Sequence, residues 1–489
     1  MINSFFNSNN RVSPNISFQS SASTFDAIAS VADANGASWL FSSDTRIQSA
    51  LPSYEHGSEE VYDINFMCHD LSRVSFFTAN GMPIFPSIDF SEFTNCSTFL
   101  INSSGSLTSI TMPSTSTVNV STMNFSDCGI SDLDFSNMNF NSSFTLSVLD
   151  NTNLSAITFP SSMTGITSFL ILSNNNLLGE LELTSFTDLG GDVRLNDNEF
   201  TSVIFTTSTQ SFNTLYIYSC TNLTGLDLSP LTNLGGNLWL SNNSSLSAIT
   251  FPASSGAITK FRTYSCPALK ELDISNLTGL STYVDVASCS SLTAITFPNI
   301  SNSITNLECD NVDSLTTLDI SPLSGLSGTL HLNGSLILSS ITLPSVTSGI
   351  FTEVKAGSLP QVTTLDFSSF TGFGGSISFS YNTNMTALTL PVTTEKITSY
   401  LGYSNPGLDY VDFWKFSGGP NDDISIDLKT NSWDASEVNH ILVDLDNIGW
   451  TGGTLDISTN TAPDGASGGF DGTLAETHLV ASGWTVTTD

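Results

Sequence analysis

The residues of this chain best suited to chemistry stand at a fixed interval. Trp239, Arg262, Asp285, Glu308, His331 and Lys355 follow one another at steps of 23 or 24 residues. Each lies between two residues that are mostly apolar, as in Leu238/Leu240 and Leu330/Leu332. An apolar-x-apolar alternation is the signature of a strand with one buried side, so these six side chains share the other side. The binding set expected there is Tyr216, Tyr218, Trp239, Lys260, Arg262, Tyr264, Glu308, His331 and Lys355. Aromatic rings beside Arg, Lys and Asn are the chemistry of carbohydrate stacking and of protein hot spots. The competing reading is that rings on neighbouring strands only staple the sheet. Of the chain's 11 basic residues, Arg194, Lys260, Arg262 and Lys355 fall on this side.

Catalysis finds little support. Asp285 lies on the coil next to that of Glu308 and Asp310, and two carboxyls at ~5–9 Å are what glycoside hydrolysis requires, but ordinary surface acids are the plainer reading. The five histidines are scattered, and G-x-S-x-G, H-E-x-x-H and phosphate-loop spacings are absent. No catalytic residue, metal ligand or cofactor is assigned. The seven cysteines make neither a C-x-x-C nor a disulfide framework. Cys220, Cys266 and Cys289 read as small fillers of an inward corner, and Cys309 as an inward strand residue; Cys266 and Cys289, one interval apart, are close enough to approach each other.

A second acidic series is periodic in a different way. Asp134, Asp227, Asp273, Asp319, Asp366 and Asp412 alternate with Thr158, Thr250, Thr296, Thr342 and Thr389, with Glu182 in one irregular repeat. One acid per two intervals suits a solvated face that resists association, with a lattice for cations such as Ca2+ as the sharper alternative; Ca2+ takes 6–8 oxygens, a poor match to a single carboxylate.

The elements that position these residues follow from the repeat. The phrases LTSITMP, LSAITFP, LTAITFP, LSSITLP and MTALTLP return every 46 or 47 residues, and Leu/Ile-Asp-Leu/Ile/Phe-Ser lies half a period away. Self-similarity of this kind means a solenoid, whose units bury their apolar residues only against their neighbours. The coil is 23 residues and the 46-residue unit a dicoil. Each coil should carry two short parallel strands, sheet A (Leu215 and equivalents) and sheet B (Leu226 and equivalents). Stacked at ~4.8 Å, about fourteen coils would extend roughly 65 Å.

Three regions are expected. Residues 1–84 break the repeat and would cap or attach the solenoid, with a helix around Phe25–Ala32 opened by Ser23 and Asp26 and strands within Val61–Thr78. Regular coils fill 85–430. In 431–489 the period becomes helical: Asp434 and Glu437 form a capping box ahead of Val438, Ile441, Leu442 and Leu445. A strand at Leu455 and Ile457, a second box at Thr473 and Glu476 ahead of Leu479, and a closing strand with Trp484 and Val486 complete two capping coils.

The pattern LxxLxLxxNxxL, with Asn151, Asn175, Asn243, Asn382 and Asn405 at the ladder position and Cys128, Cys220, Cys266 and Cys289 replacing them, resembles leucine-rich repeats. The LTAITFP phrase and the 23-residue length are similar to the BspA-like, bacterial surface-antigen class. The resemblance implies a mainly β, right-handed parallel solenoid with an α/β C-terminal cap and a non-enzymatic, binding role. The closing segment from TLDISTNTAPDGASGG to LVASGWTVTTD resembles that of repeat proteins encoded by tailed bacteriophages and some aquatic bacteria.

Composition bounds partners and place. With 11 Lys and Arg against 45 Asp and Glu, the formal charge is −34, which repels a phosphate backbone and excludes nucleic acid. No apolar run approaches the ~18 residues of a membrane span. A surface of Ser, Thr and Asn suits life outside a cytoplasm, yet the opening MINSFFNSNN has no basic and then apolar export pattern. The expectation is a virion surface protein, extracellular after release, that binds a host receptor or glycan through sheet A and other virion proteins through its N-terminal region. The alternatives are a bacterial cell-surface adhesin, a structural decoration protein and a polysaccharide depolymerase.

Overall fold

The computed structural model describes residues 87–489 apart from 92, 94, 95, 114–118, 164–168, 187, 188, 348 and 418–422, and within 1–86 it describes the strands. It is a mainly β parallel solenoid of about fourteen turns, about 23 residues apart, ending in two helices. The chain divides into two compact units, Met1–Asn237 and Leu238–Asp489.

In the first unit the sheet A strands Val74–Asn80, Thr98–Ser104, Val120–Cys128, Phe140–Leu149, Phe169–Ser173, Gly191–Arg194 and Phe212–Tyr216 pair in parallel, each with the next. The ladder therefore begins ahead of residue 85, where regular coils were expected to start. Its first strand pairs antiparallel with Asn15–Ser20, which also pairs with Ile47–Ala50, so the edge of the sheet is covered. A separate antiparallel sheet runs Ile2–Phe6, Glu60–Cys68, Ala27–Ala32, Ser38–Ser43. The helix expected around Phe25–Ala32 is thus corrected to a strand over Ala27–Ala32. A single helical turn or two is marginal alone, whereas β-branched Ile28 and Val31 suit a strand with a partner on each side. Ser23, Phe25 and Asp26 lie outside the described residues.

In the second unit the sheet A strands Ile258–Arg262, Leu280–Asp285, Ile304–Glu308, Leu326–His331, Phe351–Lys355, Phe373–Ser378, Ile397–Leu401, Ser425–Asp427, Gly453–Asp456 and Trp484–Thr487 pair in parallel, each with the next, with a register shift near the start of most pairs and matched registers over their last three residues. The inward residues Phe261, Val284, Leu307, Leu330, Val354, Ile377, Tyr400, Ile426 and Leu455 are buried. Their outward neighbours stack one coil above another, which places residues 23 apart side by side, as Arg262 beside Asp285 and Glu308 beside His331.

The corner after each strand explains the Asn/Cys column. The residue before it adopts a left-handed backbone in coil after coil, for example Asn242, Ser265, Ser288 and Asn311 at φ 55–59°. Small polar residues tolerate that conformation best. The turn leaves a backbone N–H and carbonyls inside, and the column satisfies them. Asn382 Oδ1 accepts from Leu359 N–H at 2.9 Å, while its Nδ2 donates to the Ala356 and Phe379 carbonyls, each at 2.8 Å. The ladder continues as Asn382 N–H to Asn405 Oδ1 (2.9 Å) and Asn405 N–H to Asn431 Oδ1 (2.7 Å). The cysteines are more than fillers. Cys266 and Cys289 donate Sγ–H to the Leu240 and Thr263 carbonyls at 3.2 and 3.0 Å, keeping the donor half of the Asn role. Among the described residues six cysteines are free and buried, Cys309 among them. Burial pushes the Cys128 thiol up to about 11 and the Cys220 thiol up to about 12.

Sheet B is built by twos. Ser87–Asp89 pairs with Ser109–Thr111, Asp132–Asp134 with Ala156–Thr158, Glu271–Asp273 with Ala294–Thr296, Thr317–Asp319 with Ser340–Thr342, and Thr364–Asp366 with Ala387–Thr389. Strand pairing in sheet B thus follows the 46-residue dicoil, while isolated bridges such as Met163 with Phe186 and Ile300 with Leu323 join one dicoil to the next.

Helix α1 (Ala435–Ile448) opens with the expected box: Asp434 Oδ1 accepts from Ser436 and Glu437 N–H at 2.8 and 3.2 Å, and Glu437 Oε2 accepts from Asp434 N–H at 2.7 Å. It buries Val438, Ile441, Leu442 and Leu445. Helix α2 (Gly472–Ala481) is capped by Asp471, not by the expected Thr473/Glu476 box. Asp471 Oδ1 accepts from Leu474 N–H at 3.0 Å and from Thr473 Oγ1 at 3.1 Å, a charged acceptor taking the place of a hydroxyl. Glu476 instead accepts from Thr488 Oγ1 at 3.2 Å. Among the described residues no helix is long and apolar enough to cross a membrane.

Candidate functional site

The outward side of sheet A in the second unit centres on Arg262. Its guanidinium carbon lies 5.1 Å from the Trp239 ring, 4.6 Å from Tyr264 and 5.3 Å from Tyr283. Nε and Nη2 both reach Asp285 Oδ2, at 3.2 and 3.1 Å. The Arg262 side chain keeps 25% of its surface and Asp285 only 3%. The remaining oxygen of Asp285 accepts from Ala287 N–H at 3.1 Å. Tyr283 Oη stands 3.4 Å from Asp285 Oδ2 and 3.2 Å from Glu308 Oε1, so its one proton serves either carboxylate in turn.

Electrostatics follow burial. Removal from water raises the Asp285 pKa, the Ala287 N–H draws it back, the Glu308 charge raises it again, and Arg262 lowers it; the balance stays above the ordinary carboxylate value. Tyr283 is pushed up by burial first and then by Asp285 and Glu308. Burial works against the Arg262 charge, but the bond to Asp285 prevails and its pKa is raised.

One coil further, a second group alternates in charge. His331 Nε2 is 3.3 Å from Glu353 Oε2 and its Nδ1 3.7 Å from Asp310 Oδ2. Lys355 Nζ pairs with Glu353 Oε1, and that hydrogen bond is the first cause of the lowered Glu353 pKa. Asp310, raised mainly by burial, accepts from Asn333 N–H at 2.6 Å.

Of the residues expected to bind, Trp239, Arg262 and Tyr264 are gathered into one cluster and Glu308 joins it through Tyr283. His331 and Lys355 belong to the adjacent charged series, and Lys260 is exposed. In the first unit the Tyr216 and Tyr218 rings lie 6.1 Å apart, with the Arg194 guanidinium 5.5 Å from Tyr216. The expected set omitted Asp285, Tyr283, Asp310 and Glu353, the partners that hold it together. The signal was available: opposite charges 23 residues apart on parallel strands become neighbours.

The acids of sheet B have a role the spacing did not reveal. Asp134, Asp227, Asp273, Asp319 and Asp366 each accept from the N–H of the serine two residues on, at 2.9–3.0 Å. The recurring Asp-x-Ser is a side-chain-to-backbone turn that ends the strand.

A model of the BspA type leucine rich repeat region matches residues 83–192 and 236–327, in six copies. A comparison with curated proteins finds no match. The repeat spacing, the buried Asn/Cys column, the parallel ladders and this match agree: residues 83–192 and 236–327 are similar to leucine-rich repeats of the BspA type, within a parallel β-solenoid consistent with that fold.

Proposed function

We propose that this protein is a non-enzymatic recognition module displayed on a virion surface, which engages a receptor or glycan of a host cell through the outward side of sheet A. The observation that carries this reading is the contrast between the two sides of one strand. Inward residues repeat in every coil, whereas the outward column changes from Trp239 to Arg262, Asp285, Glu308, His331 and Lys355 and is organised by its own network. Side chains already held in place lose little freedom on binding, which favours recognition. Cross-strand stapling and recognition are therefore compatible here: the staple fixes the surface that would be read.

The arrangement speaks against acid–base catalysis on Asp285. Both of its oxygens are occupied by Arg262, Tyr283 and Ala287, and its side chain is 3% exposed. The formal charge of −34 and the scarcity of Lys support a partner other than nucleic acid. BspA-type repeats also suit display on a bacterial cell, and the two settings are separated by location.

The test uses the full chain, fluorescently labelled, on intact cells of candidate hosts. Saturable binding competed by unlabelled protein is expected, and treating the cells with protease or with periodate assigns the receptor to protein or glycan. Antibody labelling of purified particles in the electron microscope is expected to mark their exterior. Absence of saturable binding to every host, or labelling of cells but not particles, would overturn the corresponding half of the proposal.

A further inference from the structure

A second surface, farther along sheet A, breaks a rule that the rest of the unit keeps. At the left-handed corner the second unit places Asn, Ser, Gly or Thr, from Asn242 to Thr459, with one exception: Tyr381, at φ 61°. Bulky and β-branched residues are outliers in that conformation, so Tyr381 shares its strain with Thr430 and Thr459 and is alone in placing an aromatic ring there; strain of this kind clusters at functional sites. The ring is not used to fill the core. Tyr381 is 52% exposed, while its backbone N–H is fixed to the Tyr403 carbonyl at 3.0 Å.

What surrounds the ring gives it a chemistry. Tyr403, one coil on, meets Tyr381 edge-to-face, with centroids 5.0 Å apart and planes at 81°. Lys429 Nζ lies 5.4 Å from the Tyr403 centroid, 2.7 Å from Asp427 Oδ2 and 3.8 Å from Asp456 Oδ2. These side chains remain accessible, at 41% for Lys429, 20% for Asp427 and 38% for Asp456. Along the stack, Tyr381 to Asp456 covers three coil steps, roughly 15 Å at ~4.8 Å each. The patch thus offers an aromatic face, ordered carboxylate acceptors and one ammonium donor in a line.

We propose that Tyr381, Tyr403, Asp427, Lys429 and Asp456 form a binding site for a neutral oligosaccharide. The C–H face of a pyranose packs on an exposed aromatic ring, and its hydroxyls donate to carboxylates and accept from an ammonium. Acids outnumber bases in the patch as in the whole chain, which disfavours uronate or sialylated sugars. A protein hot spot would want its aromatic anchor ringed by apolar surface that excludes water, and here the second ring, Tyr403, lies under the Lys429 ammonium and its two carboxylates. The inference does not depend on the Arg262 surface, whose residues lie on earlier coils.

The test is a titration of the full chain with cellohexaose, chitohexaose, laminarihexaose and maltohexaose, and with a polyuronate as anionic control, followed by calorimetry. Tyr381→Asn is the decisive variant, because Asn is at home in the left-handed corner. At least one neutral hexasaccharide is expected to bind, the polyuronate not to bind, and Tyr381→Asn to weaken binding at least tenfold with a Tm equal to or above that of the parent. Lys260→Glu/Lys355→Glu, which alters the other surface, should bind the hexasaccharide unchanged. Failure of all four neutral sugars to bind, binding of the polyuronate alone, or undiminished binding by Tyr381→Asn would overturn the proposal. A lower Tm for Tyr381→Asn would also overturn it, since the ring would then be a packing element.

Discussion

Replacing Arg262 by Ala isolates the interaction on which the sheet A network depends. It strips the cation from a carboxylate that keeps 3% of its side-chain surface, leaving Asp285 with the Ala287 N–H and the Tyr283 hydroxyl. Breaking a buried pair in this way costs ~3–5 kcal/mol. Arg262 itself is 25% exposed, so water screens part of the attraction and a loss of about 2–3 kcal/mol is the better figure. Contacts with three rings add roughly 0.5–1 kcal/mol in all, given partial exposure. The double variant Arg262→Met/Asp285→Asn removes both charges and should lose only ~1 kcal/mol, because no buried charge is left unpaired. A solenoid opens by segments, so the assay is amide hydrogen exchange over 258–289 beside urea unfolding. The pH dependence supplies the sign. Asp285 already has a raised pKa, and without Arg262 it rises further. The folded variant then takes up a proton at a higher pH than the folded parent, so its deficit shrinks as pH falls from the variant's pKa toward the parent's smaller raised one. A single-variant loss below ~1 kcal/mol, or a deficit independent of pH, would refute a buried, charge-compensated Asp285.

Other consequences follow from the corners and the cap. Asn382→Ala should cost ~2–4 kcal/mol, since it leaves a buried N–H and two carbonyls without their partner; Asn382→Cys should cost about half as much because the thiol keeps a donor, as at Cys266, and urea unfolding of the two variants orders them. Asp464 has its pKa depressed well below the ordinary range by the Ser467 hydroxyl first, then by the Ser467 and Ala466 N–H groups and Asn439. Its contribution is therefore present above about pH 4 and lost as pH falls further, and melts between pH 6 and 2 should be flatter for Asp464→Asn than for the parent. At pH 8 a thiol reagent should find no reaction at the six buried cysteines of the native protein and full reaction in denaturant; release of two or more equivalents from the native protein would contradict their burial.

The fold was legible because a repeat states the same fact many times. Leu215, Leu238 and Leu330 each suggest an inward strand residue, and their common interval of 23 or its multiples removes the ambiguity any one would carry. The Asp434/Glu437 box was readable for the same local reason: side chain and backbone groups three residues apart satisfy each other. Short-range competition was harder to read. Asp471 and Thr473 both lie at the start of α2, and only the geometry shows that the carboxylate takes the cap. The segment at Ala27–Ala32 has no period of its own, so its state is set by the strands on either side. The candidate site divides in the same way. Which residues face outward follows from alternation alone, while the pairing of Arg262 with Asp285 and of His331 with Glu353 depends on register between coils. The Asp-x-Ser turns were hidden because an acid that repeats on a surface looks like a charge pattern until its oxygen is seen on a backbone N–H.

The most direct test of sheet A as the recognition surface is a matched pair of charge reversals on the full chain. Lys260→Glu/Lys355→Glu changes that surface without touching Arg262 or Asp285, and Lys270→Glu places a reversed charge at an exposed position outside the sheet A strands. Binding of each labelled variant to intact host cells is measured beside the parent protein. Recognition through sheet A predicts that the double variant loses saturable binding while Lys270→Glu retains it. Equal retention by both, or equal loss by both, would contradict a recognition role for this surface.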